Sequence, residues 1–421
     1  MEKNKNSSAG RGKFFAAGLL TGILVCLVAA VLVLRAVEPE LLPHVSSSLS
    51  QESAQVFERS AIDEDTILKL QSLEEGIERY YYKAEEVTPE QLQTGLYRGI
   101  MKSLDDPYTE YYTKDEMELL DQQLTGIYYG IGAYISLDTM TNYPKISGVI
   151  RDTPAQAAGL MADDIIYEVD GVNTKDMSLD EVVSRVKGEE GTTVTLTLVR
   201  EGENDYLHID IKRAKINSPT VSVEMMEDGI GYLDLEAFDT VTTQQFIDGL
   251  HELEEGGMEG MILDLRANPG GDVQVVTAIA DYFLPEGLVF YMEDRDGART
   301  EYTCDGEKQI GIPLVVLVDG NSASAAEILS GGIQDAGVGT LVGEQTYGKG
   351  VVQTILTLKD ESAIKITIAD YYTRNGSNIN EIGITPDELV PFDREAYLED
   401  GTDNQLERAK EILLEKMDDA N

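Results

Sequence analysis

The chain has 421 residues, which is too long for one ordinary hydrophobic core and predicts two or three domains. Its 77 Asp and Glu residues outweigh 33 Lys and Arg residues, giving a formal net charge of -44 at pH 7. Nucleic acid is therefore not expected as a partner, because binding it requires clustered positive charge. A hydrophobic fraction of 42% fits globular domains rather than a disordered chain or a multi-span membrane protein.

The N-terminal segment predicts a membrane anchor. Residues 14–34 are apolar and uncharged, and about 20 such residues span a bilayer as a helix. Basic residues precede this stretch, so residues 1–37 are predicted to be a cytoplasmic tail and single-pass anchor in the cell membrane, with the rest of the chain outside the cytoplasm. A cleaved signal peptide is the alternative, but its apolar region is normally shorter. Residues 38–61, rich in Ser, Glu and Gln, are expected to form a stalk.

Helices are predicted over residues 62–124. Apolar residues recur at near-helical spacing over 68–80, and Thr88 followed by Pro89 is typical of a helix start. The sequence Asp-Asp-Pro at 105–107 ends this second helix. A helical arm outside the core favours a homodimer.

Residues 125–213 change to short β-like runs and predict a small β-rich domain. Its predicted strands are 131–135, 146–150, 165–169, 194–199 and 207–211, and its helices are 155–158 and 179–186.

Residues 214–393 alternate strands with helices, which is typical of an α/β domain with a largely parallel sheet. The predicted strands are 230–235, 261–265, 314–318, 340–343 and 363–371, and the helices are 243–253, 273–282 and 325–334. The tail, 394–421, predicts one amphipathic acidic helix.

The most informative stretch reads DGNSASAAE, at 319–327. It follows a buried strand and opens a helix, where α/β folds place reactive groups. Ser324 can attack a carbonyl there, while the N–H of Ala325 at the helix start stabilises the oxyanion. However, Ser324 and Glu327 also form a capping-box pattern, and this stretch alone favours a simple helix cap.

A lysine between two glycines changes this interpretation. Gly348 and Gly350 allow backbone to pack closely around Lys349 and exclude water. Desolvation lowers the pKa of a lysine, as a general base near neutral pH requires, and Ser–Lys pairs can replace a Ser-His-Asp triad. Gln353 is placed to hydrogen-bond Lys349 and orient it. An ordinary exposed lysine is the alternative.

A tight turn, Pro269-Gly270-Gly271, also follows a predicted strand and precedes a helix. Its amides are not shielded by side chains, so either Gly270 or Gly271 can supply a second oxyanion donor. Alone, this motif indicates only a turn.

Other catalytic chemistries have little support. The two cysteines, Cys26 and Cys304, are far apart and predict neither a disulfide framework nor a metal site. The three histidines, His44, His208 and His251, are scattered and lack surroundings typical of a catalytic triad. We therefore expect no metal or other cofactor.

Together these stretches resemble the carboxyl-terminal processing peptidases, or tail-specific proteases. The resemblance covers 62–390 and rests on four motif regions in the order of that family: LDDPY at 104–108, the core of a PDZ domain at 153–171, SASAAE at 322–327 and YGKGVVQ at 347–353.

The resemblance implies roles for individual residues. Ser324 is the expected nucleophile, Lys349 the base and Gln353 the support of the lysine. Lys187 stands where the family has Arg, and we suggest that it senses the end of a bound chain. A peptide carboxylate is expected on the loop that comprises Gly130, Ile131, Gly132 and Ala133.

The expected fold class is multidomain α+β: an N-terminal transmembrane helix, a helical arm, a β-rich PDZ-like domain and an α/β protease core of the ClpP/crotonase type. The expected function is that of a serine endopeptidase that binds apolar protein C-termini through its PDZ domain and cleaves through an acyl-enzyme.

Two alternatives differ in class. A non-catalytic PDZ scaffold would capture peptide tails, but the intact Ser324, Lys349 and Gln353 argue against it. A serine hydrolase acting on esters is disfavoured by the PDZ-like domain, which is suited to peptide ends.

Overall fold

The computed structural model describes residues 61–138 and 140–420. The described residues divide into two compact units, one up to Leu92 and the other from Gln93 onward. Over the described ranges, no helix is both long and apolar enough to cross a membrane. The predicted anchor, 14–34, and nearly all of the predicted stalk lie outside those ranges.

Two amphipathic helices come first. Helix α1 (Glu64–Tyr80) begins after Asp63, whose side chain accepts a hydrogen bond from the Thr66 N–H. Helix α2 (Pro89–Lys102) begins where the sequence predicts, because Thr88 and Gln91 form a reciprocal capping box with hydrogen bonds of 3.0 and 3.2 Å. Neither helix contains a buried residue.

The segment 62–124, predicted to be wholly helical, also contains a short strand that pairs with β18 (Ala363–Thr373) of the larger domain. This strand and a third helix lead into the β-rich domain. Strand β1 (Glu110–Tyr112) is followed by helix α3 (Lys114–Thr125), which starts at a capping box formed by Thr113 and Glu116. Helix α3 ends at Gly126, whose left-handed backbone (φ 68°) turns the chain.

The β-rich domain contains the five predicted strands and both predicted helices. Its elements are β2 (Ile127–Gly130), β3 (Ala133–Leu137), β4 (Pro144–Val149), α4 (Pro154–Ala157), β5 (Ile165–Val169), β6 (Val172–Asn173), α5 (Leu179–Val186), β7 (Thr193–Val199), β8 (Leu207–Lys212) and β9 (Ala214–Asn217). The main sheet has the order β3-β4-β5-β7-β8, which leaves β3 at an edge. A separate antiparallel ribbon, β2 with β9, carries the chain into and out of the domain.

The larger domain is the predicted α/β unit. It comprises β10 (Val221–Met225), β11 (Ile230–Leu235), α6 (Thr242–Glu255), β12 (Gly260–Asp264), α7 (Val273–Ala280), β13 (Gly287–Asp294), β14 (Arg299–Cys304), β15 (Leu314–Val318), α8 (Ala325–Ala336), β16 (Thr340–Gly343), β17 (Val351–Thr357), β18 (Ala363–Thr373) and β19 (Glu388–Leu389). The sheet β10-β11-β12-β15-β16-β19 is parallel except for β10, which confirms the prediction.

A second, antiparallel sheet was not predicted. It contains the predicted strand 363–371, as β18, so the assignment of that strand to the parallel sheet was wrong. It has the order β1-β18-β13-β14, with β17 also paired to β18. Its strands are half exposed and carry a mixed apolar and polar pattern, unlike β12 and β15, which are buried at every residue.

Both faces of the parallel sheet are covered. Helices α6, α7 and α8 cover one face with side chains such as Phe246, Ile279 and Leu329. The prediction of a single tail helix was wrong, because Gly401 in the left-handed conformation (φ 83°) ends α9 (Arg394–Asp400) before α10 (Asn404–Ala420) begins. Helix α10 covers the other face, where Leu413 belongs to the same buried cluster as Ile262.

Candidate active site

Ser324 lies between β15 and α8 and lines a cleft of roughly 1190 Å³. Its backbone has φ 54° and ψ −113°, whereas a helix N-cap normally has extended backbone. Such conformations persist where the surrounding structure enforces them, and they concentrate at functional sites. The backbone N–H of Ser324 donates to Glu327 Oε2 (2.8 Å), as the capping pattern predicts.

The neighbouring Ser322 has a different environment. It is fully buried, its hydroxyl donates to the Leu265 carbonyl (2.8 Å), and it accepts a hydrogen bond from the Asp319 N–H (2.9 Å). Ser322 therefore holds the turn together, and Ser324 is the serine of this motif that borders the cleft.

Glu327 connects the serine motif with the lysine motif, a role that the sequence did not reveal. Its fully buried carboxylate accepts hydrogen bonds from the Ser324 N–H (2.8 Å), the Thr346 hydroxyl (2.6 Å), the Gly348 N–H (2.7 Å) and the Lys349 N–H (2.9 Å). Burial of a carboxylate is tolerated only when hydrogen bonds compensate it, so these four donors hold the two segments together. The available signal was an acidic residue in the apolar first turn of the helix, at the third position after Ser324.

Lys349 is half-buried and lines the same cleft as Ser324. Burial, followed by the positive charge of Lys365, lowers the pKa of Lys349, while the carboxylates of Glu327 and Asp106 oppose this shift. The ammonium nitrogen lies 4.8 Å from the centre of the Tyr108 ring.

The glycines around Lys349 do allow close packing. A Cβ on Gly348 would lie 2.9 Å from the backbone nitrogen of Ile382, and one on Gly350 would lie 2.5 Å from that of Asn380. Any larger residue at either position would push this backbone away and open the lysine pocket.

Ser324 and Gln353, the predicted partners of Lys349, line the same cleft as the lysine. In the described part of the chain, no hydrogen bond joins Lys349 Nζ to Ser324 Oγ or to Gln353. Gln353 Nε2 instead donates weakly to Thr367 Oγ1 (3.4 Å). Catalytic hydrogen bonds are commonly long or absent before substrate binds.

The two predicted oxyanion glycines differ in availability. Gly270 packs so closely that a Cβ there would lie 2.8 Å from Ser324 Cβ, but its N–H already donates to Asn268 Oδ1 (2.8 Å). Among the described residues, the N–H groups of Gly271 and Ala325 have no hydrogen-bond acceptor. These two amides are therefore the better pair of oxyanion donors.

In the described part of the chain, the two central residues of the predicted carboxylate-binding loop use their carbonyls in hydrogen bonds but not their N–H groups. The carbonyls of Ile131 and Gly132 accept hydrogen bonds from the N–H groups of Ala155 (2.8 Å) and Ile150 (3.0 Å). Within the described ranges, the N–H groups of Ile131 and Gly132 have no acceptor. Gly130 ends β2 and Ala133 starts the edge strand β3, and the whole loop lines the cleft that contains Ser324.

Lys187 follows α5 and contacts helix α3. Its ammonium donates to Gln122 Oε1 (3.0 Å) and lies 5.1 Å from the centre of the Tyr128 ring. Burial lowers the pKa of Lys187.

Comparisons with known proteins match this organisation. The profile of Peptidase family S41 matches residues 229–390, and that of a PDZ domain matches 145–200. The carboxyl-terminal-processing protease of Synechocystis sp. is 37% identical over 289 residues, which is 67% of this chain and 68% of that protein. The chain belongs to the carboxyl-terminal processing protease family.

Other similarities within this family are consistent with the assignment. The carboxy-terminal processing protease CtpA of Bacillus subtilis is 32% identical over 358 residues, covering 84% of this chain and 74% of that protein. A solved photosystem II D1 C-terminal processing protease aligns with 78% of this chain and 94% of that chain at 27% identity and a TM-score of 0.44, which is too low to add support.

The family resemblance drawn from the sequence is therefore confirmed. This carboxyl-terminal processing protease is a serine-type peptidase with a multidomain α/β fold of family S41 and a PDZ domain.

Proposed function

We propose that this chain cleaves proteins with a Ser/Lys dyad, in which Ser324 is the nucleophile and Lys349 the general base. The observation that carries the proposal is the buried carboxylate of Glu327, which binds the backbone of both segments and holds both side chains at one cleft. Gln353 supports the lysine from the neighbouring strand β17 once substrate is bound.

The steps follow from the groups at the cleft. Neutral Lys349 takes the hydroxyl proton as Ser324 Oγ attacks the peptide carbonyl. The amides of Ala325 and Gly271 stabilise the oxyanion, and the lysine returns its proton to the departing amine. A water molecule then loses a proton to Lys349 as it attacks the acyl-enzyme. The lysine gives this proton to Ser324 Oγ when the ester bond breaks, which restores the serine and the neutral lysine.

The substrate is proposed to be a protein with an unstructured, apolar C-terminus. Its last residues pair with the edge strand β3, next to Val183 and Val186, and its carboxylate accepts hydrogen bonds from the amides of Ile131 and Gly132. Lys187 then gives up its hydrogen bond to Gln122 and binds the end of the substrate chain instead. If Lys187→Ala leaves cleavage of tailed substrates unchanged, this role of Lys187 is wrong.

The apolar segment 14–34 is proposed to anchor the enzyme in the cell membrane, with the peptidase outside the cytoplasm. Protease added to intact cells should digest the catalytic domain; its protection would contradict this topology.

A homodimer is proposed to form through α1 and α2. Large apolar side chains such as Ile67, Leu68 and Leu73 of α1 are about half exposed. Light scattering of the detergent-solubilised chain should give the mass of two copies, and a monomer would refute the dimer.

The experiment for the catalytic proposal is digestion of an unfolded reporter with an apolar C-terminal tail. We would compare wild type, Ser324→Ala, Lys349→Ala and, as a control, the exposed Lys359→Ala. The expected result is cleavage by wild type and the control only, since loss of a nucleophile or its base removes a factor of roughly 10⁴ or more.

Other outcomes separate the alternatives. Cleavage that survives Ser324→Ala would mean another nucleophile. Tail binding without cleavage by any form would favour a peptide-capturing scaffold, whereas hydrolysis of small esters but no peptides would favour an esterase.

A further inference from the structure

Tyr371 is a buried tyrosine, only 1% exposed, that borders the cleft containing Ser324. It lies on β18 of the second, antiparallel sheet. Its ring meets the ring of Phe290 edge to face, with 6.2 Å between the ring centres and 84° between the ring planes. Close packing of this kind holds a buried ring in one orientation, and it therefore also fixes the direction of the hydroxyl.

The hydroxyl of Tyr371 donates to the backbone carbonyl of Ser324 (3.2 Å). The same carbonyl accepts the first hydrogen bond of helix α8, from the Ile328 N–H (2.9 Å). Burial raises the pKa of Tyr371 well above its ordinary value, so the hydroxyl keeps its proton at neutral and mildly alkaline pH. The backbone N–H of Tyr371 donates to the carbonyl of Gly350 (2.9 Å), next to Lys349. One residue therefore contacts both the serine motif and the lysine motif.

The peptide group between Ser324 and Ala325 connects this contact to the chemistry. A peptide group is planar and trans, so its carbonyl and its N–H point in opposite directions and turn together. The ψ angle of Ser324 sets this direction, and its value of −113° is far from that of helical or extended backbone. Fixing the Ser324 carbonyl therefore fixes the direction of the Ala325 N–H, which is one of the two amides proposed to bind the oxyanion.

The other proposed amide, that of Gly271, belongs to a turn that is held separately. Phe238 donates its N–H to the Gly270 carbonyl (2.9 Å) and accepts a hydrogen bond from the Asp272 N–H (2.7 Å). This turn lies against the serine segment, because a Cβ on Gly270 would be 2.9 Å from the nitrogen of Ala325. An oxyanion is stabilised only by donors that already point at it, so a rotation of the Ala325 amide would weaken the site even with the turn unchanged.

We propose that Tyr371 is a positioning residue for the oxyanion site: by holding the Ser324 carbonyl, its hydroxyl aims the Ala325 N–H at the oxygen that becomes negative during attack. The inference rests on the proposed role of Ser324 as the nucleophile. It gives the second sheet a part in catalysis, because β18 supplies the group that orients a backbone amide at the end of a strand of the parallel sheet.

The test uses Tyr371→Phe, which removes the hydroxyl and keeps the packed ring. We expect this variant to fold, because the Ser324 carbonyl retains its hydrogen bond from Ile328. Tyr372→Phe is the matched control. Adjacent residues of a strand face opposite sides of the sheet, and the Tyr372 ring stacks on that of Tyr291 with 4.8 Å between the ring centres.

Three quantities are measured with the full chain. The first is kcat and KM for the tailed reporter. The second is the affinity for a peptide of the tail alone, from calorimetric titration, which also counts the folded molecules in each sample. The third is the inhibition constant of a peptide aldehyde, which adds to the serine hydroxyl and places its oxygen where the oxyanion forms.

In Tyr371→Phe, kcat per folded molecule should fall about 5- to 50-fold, less than the roughly 10²- to 10³-fold loss expected when a whole oxyanion donor is removed. The aldehyde should bind more weakly by a similar factor, whereas KM and the affinity for the tail should stay at their wild-type values. The loss of kcat should be the same at every pH, because the hydroxyl holds a backbone carbonyl and does not contact the base.

Tyr372→Phe should match wild type in all three quantities. The inference would be overturned by a wild-type kcat in Tyr371→Phe, by a lower kcat with unchanged aldehyde affinity, or by a pH profile that shifts along the pH axis. Failure of the proposed function is a separate result: cleavage that survives Ser324→Ala would show that this serine is not the nucleophile, whatever the Tyr371 variant does.

Discussion

Ser324 adopts a backbone conformation that an isolated chain avoids, and its neighbours explain why it persists. The conformation costs on the order of 1–3 kcal/mol. Glu327 holds the Ser324 N–H, and Gly270 approaches so closely that the segment has little room to relax. The same carboxylate holds the backbone of Lys349, so each residue of the proposed dyad depends on a buried group outside the dyad.

Asp239 shows how the fold perturbs a single titratable group. It lines the cleft, and its Oδ2 lies 3.0 Å from where a Cβ on Gly126 would be. Burial raises the pKa of Asp239 to about 6. A folded-state pKa above the unfolded value means that the folded protein binds the proton more tightly, so ionising Asp239 lowers stability as the pH rises.

Asp239→Asn should therefore stabilise the protein in a pH-dependent way. The gain in melting temperature should grow from about pH 4, near the ordinary pKa of an aspartate, to about pH 6, and stay constant above about pH 7, where the wild-type carboxylate is charged. Scanning calorimetry across this range measures the gain, and Asp248→Asn on the exposed side of α6 is the control. A gain that does not change with pH would contradict the raised pKa.

At the scale of elements, the loop between β2 and β3 has a shape that only glycine permits. Gly132 has φ 83°, and a Cβ there would lie 2.4 Å from Thr153 Cβ. Thr153 also donates its hydroxyl to the Gly132 carbonyl (3.2 Å) and to that of Ile150 (2.6 Å), so it has little freedom to move away.

Gly132→Ala should displace the loop and weaken binding of an apolar-tailed peptide at least about tenfold, because the free amides of the loop lose their alignment. Gly159→Ala is a matched control, since Gly159 has φ 77° but open space around a Cβ. It should cost about 1 kcal/mol of stability and leave affinity unchanged. Isothermal titration calorimetry measures the peptide affinity of both variants. Equal affinities of the two variants would rule out the loop as the binding site.

At the scale of the whole molecule, two layers of helices shield the two faces of the parallel sheet from water. One consists of α6, α7 and α8, and the other is α10 at the end of the described chain. The positions of the nucleophile and of the turn at Gly270 depend on this sheet, because both follow its strands. Helix α10 thus supports the site without touching it.

Leu413→Ala should destabilise the protease domain by about 2–5 kcal/mol, because Leu413 is fully buried and the sheet beneath it cannot collapse into the cavity. Leu414→Ala, at the neighbouring position with 36% of its surface exposed, should cost under about 1 kcal/mol. The midpoint of urea denaturation measures both. Similar midpoints for the two variants would show that α10 is not part of the core.

The sequence by itself determined the parallel strands, their helices, and the positions of the serine, the lysine and the glycine turn. These features are local: strands such as β15 are buried at every residue and are apolar throughout, and a turn or a helix start depends on adjacent residues. Tertiary structure alone decided the rest. Lys365 meets Glu110 from 255 positions away, Glu327 gathers donors from two motifs, and Asn268 occupies the amide of Gly270. No local pattern encodes these contacts, because each depends on which polar groups the folded chain brings together. Where several acceptors lie near one donor, the tertiary structure decides which of them forms the hydrogen bond.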